Sequence, residues 1–390
     1  MRRTACRRER DPVNSLFFYG TLCHRPLLDL VLGGESTCRI SPAVLSGHVA
    51  NWVKNQPFPM ISEGDASALL RGLLVQDLSD QDVARLNFYE GGFDYALEDV
   101  TVRVEPDGEE VQTQVYFPTP GLWTPGAVWN LSDWEAKYGA MTVEAAKEVM
   151  EGFGHVSPDE IARRFPMIRT RASSRVRARS EPAPTMLRAD YGVQDITVTR
   201  RSRPYANYFT LEEQELSFRK YTGEMSEVVD RAAFVGGDAV IVLPYDPVRD
   251  RVLVIEQFRM GPLIRGDVHP WLLEPIAGRI DGGEAPEDSV RREAMEEAGL
   301  TLDRLIPLTP HYPSPGANTE FFYPFIALCD LPDDAGGIGG VESEAEDIRS
   351  HVIPFDRLME LITSGEANVG PLILAAFWLA ANRQNLRTHS

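Results

Sequence analysis

Residues 278–300 read GRIDGGEAPEDSVRREAMEEAGL, and this stretch decides the fold of the second half of the chain. Pro286 suits the first position of a helix, where its missing N–H costs no hydrogen bond. Two acidic residues follow and complement the positive end of the helix dipole, and Gly299 suits a C-terminal stop. The pattern therefore predicts a helix over residues 286–298.

Three carboxylates share one side of this helix, because Glu297 and Glu296 follow Glu293 by four and three residues. Like charges at this spacing destabilise a helix by a few tenths of a kcal/mol per pair, which a bound cation would offset. Magnesium and manganese prefer carboxylate oxygens, whereas the histidine and cysteine ligands of zinc are missing here. The sequence predicts a Mg²⁺ or Mn²⁺ site on these three residues, with the main-chain carbonyl near Ala277 as an extra ligand.

Neighbouring residues have predicted structural roles around the carboxylates. Arg292 can reach back to Glu284 and fix the loop against the helix through a bidentate ion pair. Gly278 lets the backbone approach the metal and phosphates closely. An ordinary surface helix rich in arginine and glutamate would have a similar composition, but the joint spacing of these residues favours a functional site.

Seven residues carry a family resemblance: Gly278, Glu284, Arg292, Glu293, Glu296, Glu297 and Gly299. Together they resemble the Nudix box. From about Ile196 to the C-terminus the chain resembles the ADP-ribose pyrophosphatase branch of that family, through GDAVIVLPYDPVRDRVLVIEQFR, PWLLEPIAG, YPSPGANTE and ESEAEDIRSHVI. The resemblance implies hydrolysis of ADP-ribose to AMP and ribose 5-phosphate with two or more metal ions per site. Pro315 stands where a proline distinguishes the ADP-ribose enzymes.

Two other functions fit the same motif. The box binds metal and phosphate but does not read the base, so another nucleotide sugar such as GDP-mannose or UDP-glucose is an alternative substrate. A non-catalytic ADP-ribose sensor is the alternative from a different class. The intact set Glu293, Glu296 and Glu297 favours an enzyme over a sensor.

An acidic loop follows the glycine-rich run of residues 335–340, which we expect to be flexible. A mobile acidic loop beside bound metal can deliver a general base to the attacking water. By resemblance, Glu344 aligns with the base and Glu346 with a supporting carboxylate. Glu296 on the helix is a further catalytic candidate, while a merely solvated loop is the other interpretation.

Substrate contacts are predicted outside the box. Arg259 closes a strand and can present its guanidinium to a phosphate, and Arg231 is a candidate of the same kind. The resemblance implies a homodimer whose N-terminal strands help to bind adenine. Tyr205, Tyr208 or Phe209 would then stack on the base, although such aromatics also occur in cores.

The coarse pattern of elements supports two domains. Short β-rich runs at 15–19, 69–76 and 100–104 precede a helical stretch at 141–152. Strand-like runs at 239–244 and 251–258, separated by a turn at 245–247, precede the box helix and a terminal helix near Leu372, which predicts an α/β/α sandwich with a mixed sheet. The predicted domains are 14–165 and 190–386, joined by a basic linker at 169–188 that shows no apolar periodicity.

The first half carries a second resemblance, in Leu16–Leu22 (LFFYGTL) and in Leu86–Gly91 (LNFYEG) with Phe93 and Tyr95 after it. These motifs resemble the γ-glutamylcyclotransferase-like, or AIG2-like, family, which implies a small β-barrel with flanking helices. Backbone N–H groups of Tyr19, Gly20, Thr21 and Leu22 would hold a substrate carboxylate. Glu90 would move the proton while a γ-glutamyl amine cyclises to 5-oxoproline. A binding or structural barrel is the alternative.

Composition limits the partners of the chain. The net charge is -19 over 390 residues, which argues against a nucleic acid. The cysteines are scattered, without the spacing of a zinc site or a disulfide framework, and this favours a reducing cytoplasm. They are Cys6, Cys23, Cys38 and Cys329. No apolar leader follows the N-terminus, and the apolar run from Leu372 to Ala380 is too short to span a bilayer, so we expect no membrane association.

Overall fold

The computed structural model describes residues 15–34, 36–91, 95–341 and 346–388. The chain forms two compact units, divided between Arg179 and Ser180. Each unit has its own hydrophobic core. Among the described helices, none combines the length and apolar character that a membrane span requires.

Unit 1 is built from eight strands and five helices in its described residues. The strands are β1 (Ser15–Phe18), β2 (Arg39–Ser46), β3 (His48–Val53), β4 (Pro59–Glu63), β5 (Leu69–Gln76), β6 (Tyr95–Val104), β7 (Glu110–Pro118) and β8 (Pro125–Val128). The helices are α1 (Arg25–Leu32), α2 (Asp80–Glu90), α3 (Leu131–Trp134), α4 (Ala140–Glu151) and α5 (Pro158–Ser180). A 3₁₀ turn at Thr21–Cys23 follows β1, and a π-helical turn at Glu135–Gly139 precedes α4.

Five strands of unit 1 close into a barrel in the order β1-β5-β2-β6-β7. The alternation of side chains along β1 explains why it is buried on both faces. Leu16 and Phe18 pack among the helices, whereas Phe17 packs in the opposite core with Leu74 and Val115. The predicted small barrel with helices is confirmed, and β4, β3 and β8 add a separate small sheet.

Helix α5 corrects the predicted linker at 169–188, because the helix continues to Ser180 and its last turns pack against α4. Arg171 is 1% exposed and donates to the Glu148 carboxylate of α4 at 2.5 Å. Arg175 reaches Glu148 at 3.3 Å, and Arg179 reaches Glu144 at 2.8 Å. The arginines that suggested a solvated linker therefore hold α5 in place, and unit 1 extends past the predicted boundary at residue 165.

Unit 2 begins with strands that form a separate three-stranded antiparallel sheet, in the order β11-β10-β9. The strands among its described residues are β9 (Ile196–Ala206), β10 (Thr210–Phe218), β11 (Val229–Val235), β12 (Ala239–Asp246), β13 (Arg251–Phe258), β14 (Trp271–Glu274), β15 (Ile276–Arg279), β16 (Arg304–Pro307), β17 (Phe322–Leu328), β18 (Ile338–Gly339) and β19 (Ile348–Pro354). Its helices are α6 (Met260–Arg265), α7 (Pro286–Ala298), α8 (Phe355–Ser364) and α9 (Gly370–Thr388).

The main sheet of unit 2 has the order β16-β17-β12-β13-β19-β18, with β14 beside β13 and β15 beside β12. It is mixed, because β12 pairs in parallel with β17 and antiparallel with β13. Both strand runs predicted here are present. The predicted turn at 245–247 lies later, because β12 continues through Asp246 and Tyr245 is fully buried.

Helices cover both faces of this sheet. On one face, Val242 and Leu253 pack with Val290 and other residues of α7. On the opposite face, Leu243 and Val252 pack with residues of α8 and α9. The predicted α/β/α sandwich is confirmed. The terminal helix buries one side only, since Leu372 is fully buried while Phe377 is 55% exposed.

Candidate functional site

The acidic helix α7 and the loop before it form the candidate site of unit 2. The helix spans Pro286 to Ala298, as predicted, with proline in its first turn. Gly299 ends it in the left-handed conformation at φ 63°, which a residue with a Cβ adopts only at a cost. Strand β15 leads into the loop and places Gly278 against the helix.

Arg292 connects the loop, the strand and the acidic face of the helix. Its guanidinium makes the expected bidentate pair with Glu284, at 3.2 and 3.1 Å, and donates to the Arg279 carbonyl at 3.0 Å. Its Nη1 also contacts Glu293 at 2.7 Å and Glu296 at 3.0 Å. Burial lowers the pKa of Arg292, but these carboxylates more than compensate and raise it, so the guanidinium stays charged.

Glu293 and Glu297 are carboxylates largely removed from water, at 9% and 2% exposure. Burial raises the pKa of Glu293 to about 7 against the opposing charge of Arg292. Burial and the charge of Glu293 raise the pKa of Glu297 to about 9. Burial disfavours the ionised forms of both acids. A bound cation would favour those forms, so the pair is suited to binding one.

The donor set fits a hard divalent cation. Glu297 accepts a hydrogen bond from the Ala277 N–H at 3.3 Å, so strand β15 lies beside the carboxylates. A Cβ on Gly278 would lie 1.9 Å from the carboxylate of Glu293, so the site needs glycine there. Within the described ranges, no three acidic, histidine or cysteine side chains already form a ligand cluster. Arg292 instead bridges Glu293 and Glu296, so a metal would compete with it for these oxygens.

The glycine-rich run at 335–340 is more ordered than expected. Ile338 pairs with Arg349 of β19, and the Gly340 N–H donates to the Glu296 carbonyl at 3.1 Å. These bonds attach the run to the sheet and to α7, so the expected flexibility is wrong for these residues. The reason is that glycine also permits close packing, and a Cβ on Gly339 would lie 2.3 Å from the Glu297 carbonyl oxygen.

Glu346 lies beside the buried carboxylates. Its charge raises the pKa of both Glu293 and Glu297, after burial and their nearer neighbours. The Val341 N–H donates to its carboxylate at 3.2 Å. Glu344, the residue aligned with the general base, falls outside the described residues.

Arg259 lies at the end of β13, where sequence analysis placed it. Glu274 of β14 holds its guanidinium with bonds of 2.7 to 3.1 Å. Burial lowers the pKa of Arg259, but Glu274, Glu297 and Glu346 outweigh burial and raise it. Arg259 is therefore a fixed positive charge facing the acidic cluster. Glu274 was not predicted as a site residue, although it lies in the next strand, within the run PWLLEPIAG, where an acidic side chain can pair with Arg259.

Two aromatic residues reach the site through Arg279, the residue after Gly278. The guanidinium of Arg279 lies 4.3 Å from the ring centroid of Tyr208 and 5.1 Å from that of Phe209. Tyr205 instead pairs with Leu211 in the small sheet and is 54% exposed. Of the three aromatic candidates, the structure brings Tyr208 and Phe209 to the box.

The remaining two candidates, Arg231 and Pro315, lie near the small sheet. Arg231 is exposed on β11 and donates to the Asp230 carbonyl at 2.8 Å. Pro315 lies in an exposed turn, and Ala317 after it accepts a bond from the Phe234 N–H at 2.8 Å. The ring centroids of Phe234 and Phe209 are in turn 5.8 Å apart, in an edge-to-face arrangement. This series of contacts links the turn to the aromatic residues near the box.

Unit 1 contains a cavity of about 340 Å³, within the range of small-molecule sites. All five candidate residues of this unit line it: Tyr19, Gly20, Thr21, Leu22 and Glu90. Most of the other lining residues are apolar or aromatic, such as Phe58, Trp123 and Trp134. The two short motifs, far apart in sequence, therefore line one cavity.

Glu90 ends helix α2 in this apolar setting, and burial raises its pKa to about 7. Within the part of the chain that the structure describes, no hydrogen bond or ion pair is seen at its carboxyl group. Its charge also raises the pKa of Tyr89 and Tyr95, after the larger effect of burial on each. A carboxyl group with a pKa near neutrality can both accept and return a proton.

Arg169 also lines the cavity, and sequence analysis placed it in the linker. It lies on α5 with Ile161, Phe165 and Pro166, which line the same wall. The spacing of 161, 165 and 169 is that of one helix face, and this periodicity is the feature that would have revealed the helix.

Comparisons with known proteins match both units. A family model described as gamma-glutamyl cyclotransferase, AIG2-like, matches residues 16–136, and one described as NUDIX domain matches residues 236–373. An ADP-ribose pyrophosphatase of Escherichia coli (strain K12) is 36% identical over 204 residues, which are 52% of this chain and 97% of that protein. One of Haemophilus influenzae is 34% identical over 50% of this chain and 91% of that protein. A GDP-mannose pyrophosphatase of Salmonella paratyphi A is 33% identical over 48% of this chain and 95% of that protein.

Proposed function

The chain belongs to the Nudix family of hydrolases that act on pyrophosphate bonds, and we propose that unit 2 hydrolyses ADP-ribose to AMP and ribose 5-phosphate. The observation that carries the proposal is the buried pair Glu293 and Glu297, whose ionised forms a cation would stabilise and of which Glu293 lies directly against Gly278. The choice of ADP-ribose is supported by relatives named for that substrate, which match over almost their whole length. Pro315 is in keeping with it.

Divalent metal is the cofactor implied by the family, and these residues fit it. Glu293 and Glu297 would hold Mg²⁺, or Mn²⁺, with Glu296 and the backbone at Ala277 as further ligands and two or more ions per site. Bound metal would neutralise the diphosphate and lower the pKa of water. Arg292 holds the loop against the helix through Glu284, and the other carboxylates would bind the cation.

Protein groups supply the remaining chemistry. Arg259, fixed by Glu274, stabilises negative charge on a phosphate that lies near Glu297. A loop carboxylate removes the proton from the water that attacks one phosphorus in line, and the other phosphate leaves. We assign this base to Glu344, with Glu346 as its supporting carboxylate.

Base recognition involves the aromatic residues beside Arg279. We propose that Tyr208 and Phe209 contact the adenine, with Tyr205 and Arg231 contributing from the small sheet of a homodimer. The free cysteines Cys23, Cys38 and Cys329 are in keeping with a cytoplasmic location, since a reducing compartment does not require them to pair.

The experiment is a turnover assay across nucleotide sugars. ADP-ribose, GDP-mannose and UDP-glucose are offered with Mg²⁺ and with Mn²⁺, and kcat/KM is compared for each. We expect ADP-ribose to lead by at least tenfold and Glu297→Gln to lose several orders of magnitude, because a ligand is removed while its volume is kept. A preference for GDP-mannose would replace the proposed substrate, and binding without turnover would indicate a sensor.

A second function is favoured by Glu90 in the cavity of unit 1. We propose that this unit cyclises γ-glutamyl amines. The α-amino nitrogen attacks the γ-carbonyl carbon, a C–N bond forms, and the bond to the leaving amine breaks. Glu90 takes a proton from the attacking nitrogen and returns it to the leaving amine, so that 5-oxoproline and the free amine form without consuming water.

Release of 5-oxoproline from a γ-glutamyl amine tests this second function. Glu90→Gln keeps the shape of the side chain and removes the base, so we expect product formation to fall by about 10² to 10⁴. A wild-type chain that releases no product from a panel of γ-glutamyl amines would leave unit 1 as a binding or structural barrel.

A further inference from the structure

Gln257 is a buried polar residue of unit 2, 6% exposed, to which the proposed mechanism gives no role. Side chains alternate along an extended chain, so Gln257 and Arg259 face the side of the sheet on which Ile255 packs with α7. Glu274 stands directly opposite Ile255 in the neighbouring strand β14, and therefore faces that side as well. The register of two strands thus brings an amide, a carboxylate and a guanidinium together.

One carboxylate oxygen of Glu274 is shared by both neighbours. Its Oε2 accepts from Arg259 Nη2 at 2.7 Å and from Gln257 Nε2 at 3.2 Å. Because an ionised carboxylate only accepts hydrogen bonds, the nitrogen of the amide must face it. Glu274 is 7% exposed, so little water is present to replace these bonds. Gln257 therefore restrains the carboxylate that holds Arg259.

Glu274 occupies one edge of the Arg259 guanidinium, with bonds to Nε at 3.0 Å and to Nη2 at 2.7 Å. Among the described residues, no hydrogen bond to Nη1 is seen. The side chain is 42% exposed, and the charges of Glu297 and Glu346 both act on it. Because the guanidinium is planar and rigid, the orientation of the Glu274 carboxylate sets the direction of the remaining edge.

We propose that Gln257 is a positioning residue for the hydrolysis, acting through Glu274 on Arg259. This proposal rests on the proposed pyrophosphatase function of unit 2. Gln257 contacts neither substrate nor metal. It holds Glu274 in the orientation that directs Nη1 of Arg259 towards a phosphate oxygen of the diphosphate. Orientation matters here, because a misplacement of about 1 Å in a catalytic arrangement lowers the rate by about 10²-fold.

A double-mutant cycle tests this role. The full chain, Gln257→Leu, Arg259→Gln and the double variant are compared by kcat/KM for ADP-ribose at saturating Mg²⁺ and by urea unfolding. Leucine keeps a similar volume but removes the donor, so we expect Gln257→Leu to lower kcat/KM by roughly 10- to 100-fold. In the Arg259→Gln background the same change should cost less than about twofold, because the group that it orients is absent. Glu256→Gln, whose side chain contacts His351 instead, should keep wild-type activity.

Gln257→Glu keeps the shape of the side chain and separates positioning from a folding defect. At low pH the introduced carboxyl group is protonated and can donate to Glu274 as the amide does, whereas its ionised form repels Glu274. The ratio of variant to wild-type kcat/KM should therefore fall as pH rises through the pKa of the introduced group. It should stay flat in the Arg259→Gln background. A flat ratio with Arg259 present contradicts the proposal, and this ratio decides alone if Gln257→Leu does not fold.

The outcomes separate this inference from the function on which it rests. Equal losses for Gln257→Leu with and without Arg259 would give Gln257 a purely structural role and overturn the proposal, as would wild-type activity in Gln257→Leu. If the full chain hydrolyses another nucleotide sugar instead, the proposed substrate is wrong and the same cycle is run with that compound. If ADP-ribose binds without turnover, the cycle uses Kd from calorimetric titration. The absence of both binding and turnover overturns both proposals.

Discussion

Gly278→Ala adds one carbon atom beside Glu293 at the proposed metal site. The added Cβ would lie 1.9 Å from both Cδ and Oε1 of Glu293, whereas ordinary van der Waals contact begins at 3.4 Å. The carboxylate would therefore have to move by about 1.5 Å. Helix α7 fixes the backbone of Glu293, because Val290 and Ala294 beside it are fully buried, so the side chain must change its rotamer.

The displacement predicts a large loss of activity and a small loss of stability. A misplacement of 1 Å in a catalytic arrangement costs about 10²-fold in rate, so we expect kcat/KM for ADP-ribose to fall by roughly 10²- to 10³-fold. The free energy of unfolding should fall by about 1–3 kcal/mol, as for other overpacked sites. The affinity for Mg²⁺ should weaken as well, because Glu293 no longer faces Glu297.

Kinetics with increasing Mg²⁺, together with metal titration by calorimetry, measure both effects. Gly261→Ala is the matched control, because a Cβ at that position of α6 meets no atom within 4 Å. We expect the control to behave as the wild type. If Gly278→Ala bound Mg²⁺ normally and turned over ADP-ribose at the wild-type rate, the position of Glu293 would not matter and its assignment as a ligand would be wrong.

Three further predictions concern other parts of the molecule. Glu344→Gln should lower kcat by about 10² to 10⁴ with little change in substrate affinity, whereas Glu346→Gln should do much less, and equal modest losses in steady-state kinetics would contradict the assignment. Burial raises the pKa of Glu90 from 4.5 to about 7, so the folded state holds its proton more tightly and the barrel should lose up to about 3 kcal/mol of stability as pH rises from 4.5 to 7. Hydrogen exchange of barrel amides should show this slope disappear in Glu90→Gln, and an unchanged slope would assign it to another group. Arg171→Met leaves a buried carboxylate short of its partner and should cost about 3–5 kcal/mol in urea unfolding, whereas Arg179→Ala, with a side chain 62% exposed, should cost less than about 1 kcal/mol. Similar values for the two variants would refute the role of the buried Arg171–Glu148 ion pair in holding α5 against α4.

Features encoded by residues close in sequence were predictable. The limits of α7 follow from Pro286 and Gly299, and the pairing of Arg292 with Glu284 follows from the loop length between them. Such features depend on helix periodicity, dipoles and backbone preferences, which act over a few residues. The motif residues of unit 1 were found for the same reason, because each motif is a short continuous run.

The predictions of a solvated linker at 169–188 and of a flexible glycine run at 335–340 were wrong because both rested on composition, which does not determine conformation. Arginine at positions 171, 175 and 179 looked solvated, yet its partners are acidic residues on α4, more than twenty residues earlier in the chain. Glycine at 335–340 suggested mobility, yet its small size allows the run to pack against α7. Neither partner is visible from the segment itself.

The sequence alone determined that the chain has an acidic helix, for which it predicts a metal, and two family motifs, because spacing along one helix or one loop is fixed by local geometry. Only the tertiary structure decided that Tyr208 and Phe209, rather than Tyr205, reach Arg279, and that Arg169 enters the cavity with Glu90. These spatial arrangements depend on sheet register and on helix packing, which bring together residues far apart in the chain. They arise from burial of the whole core, so no short stretch of sequence contains them.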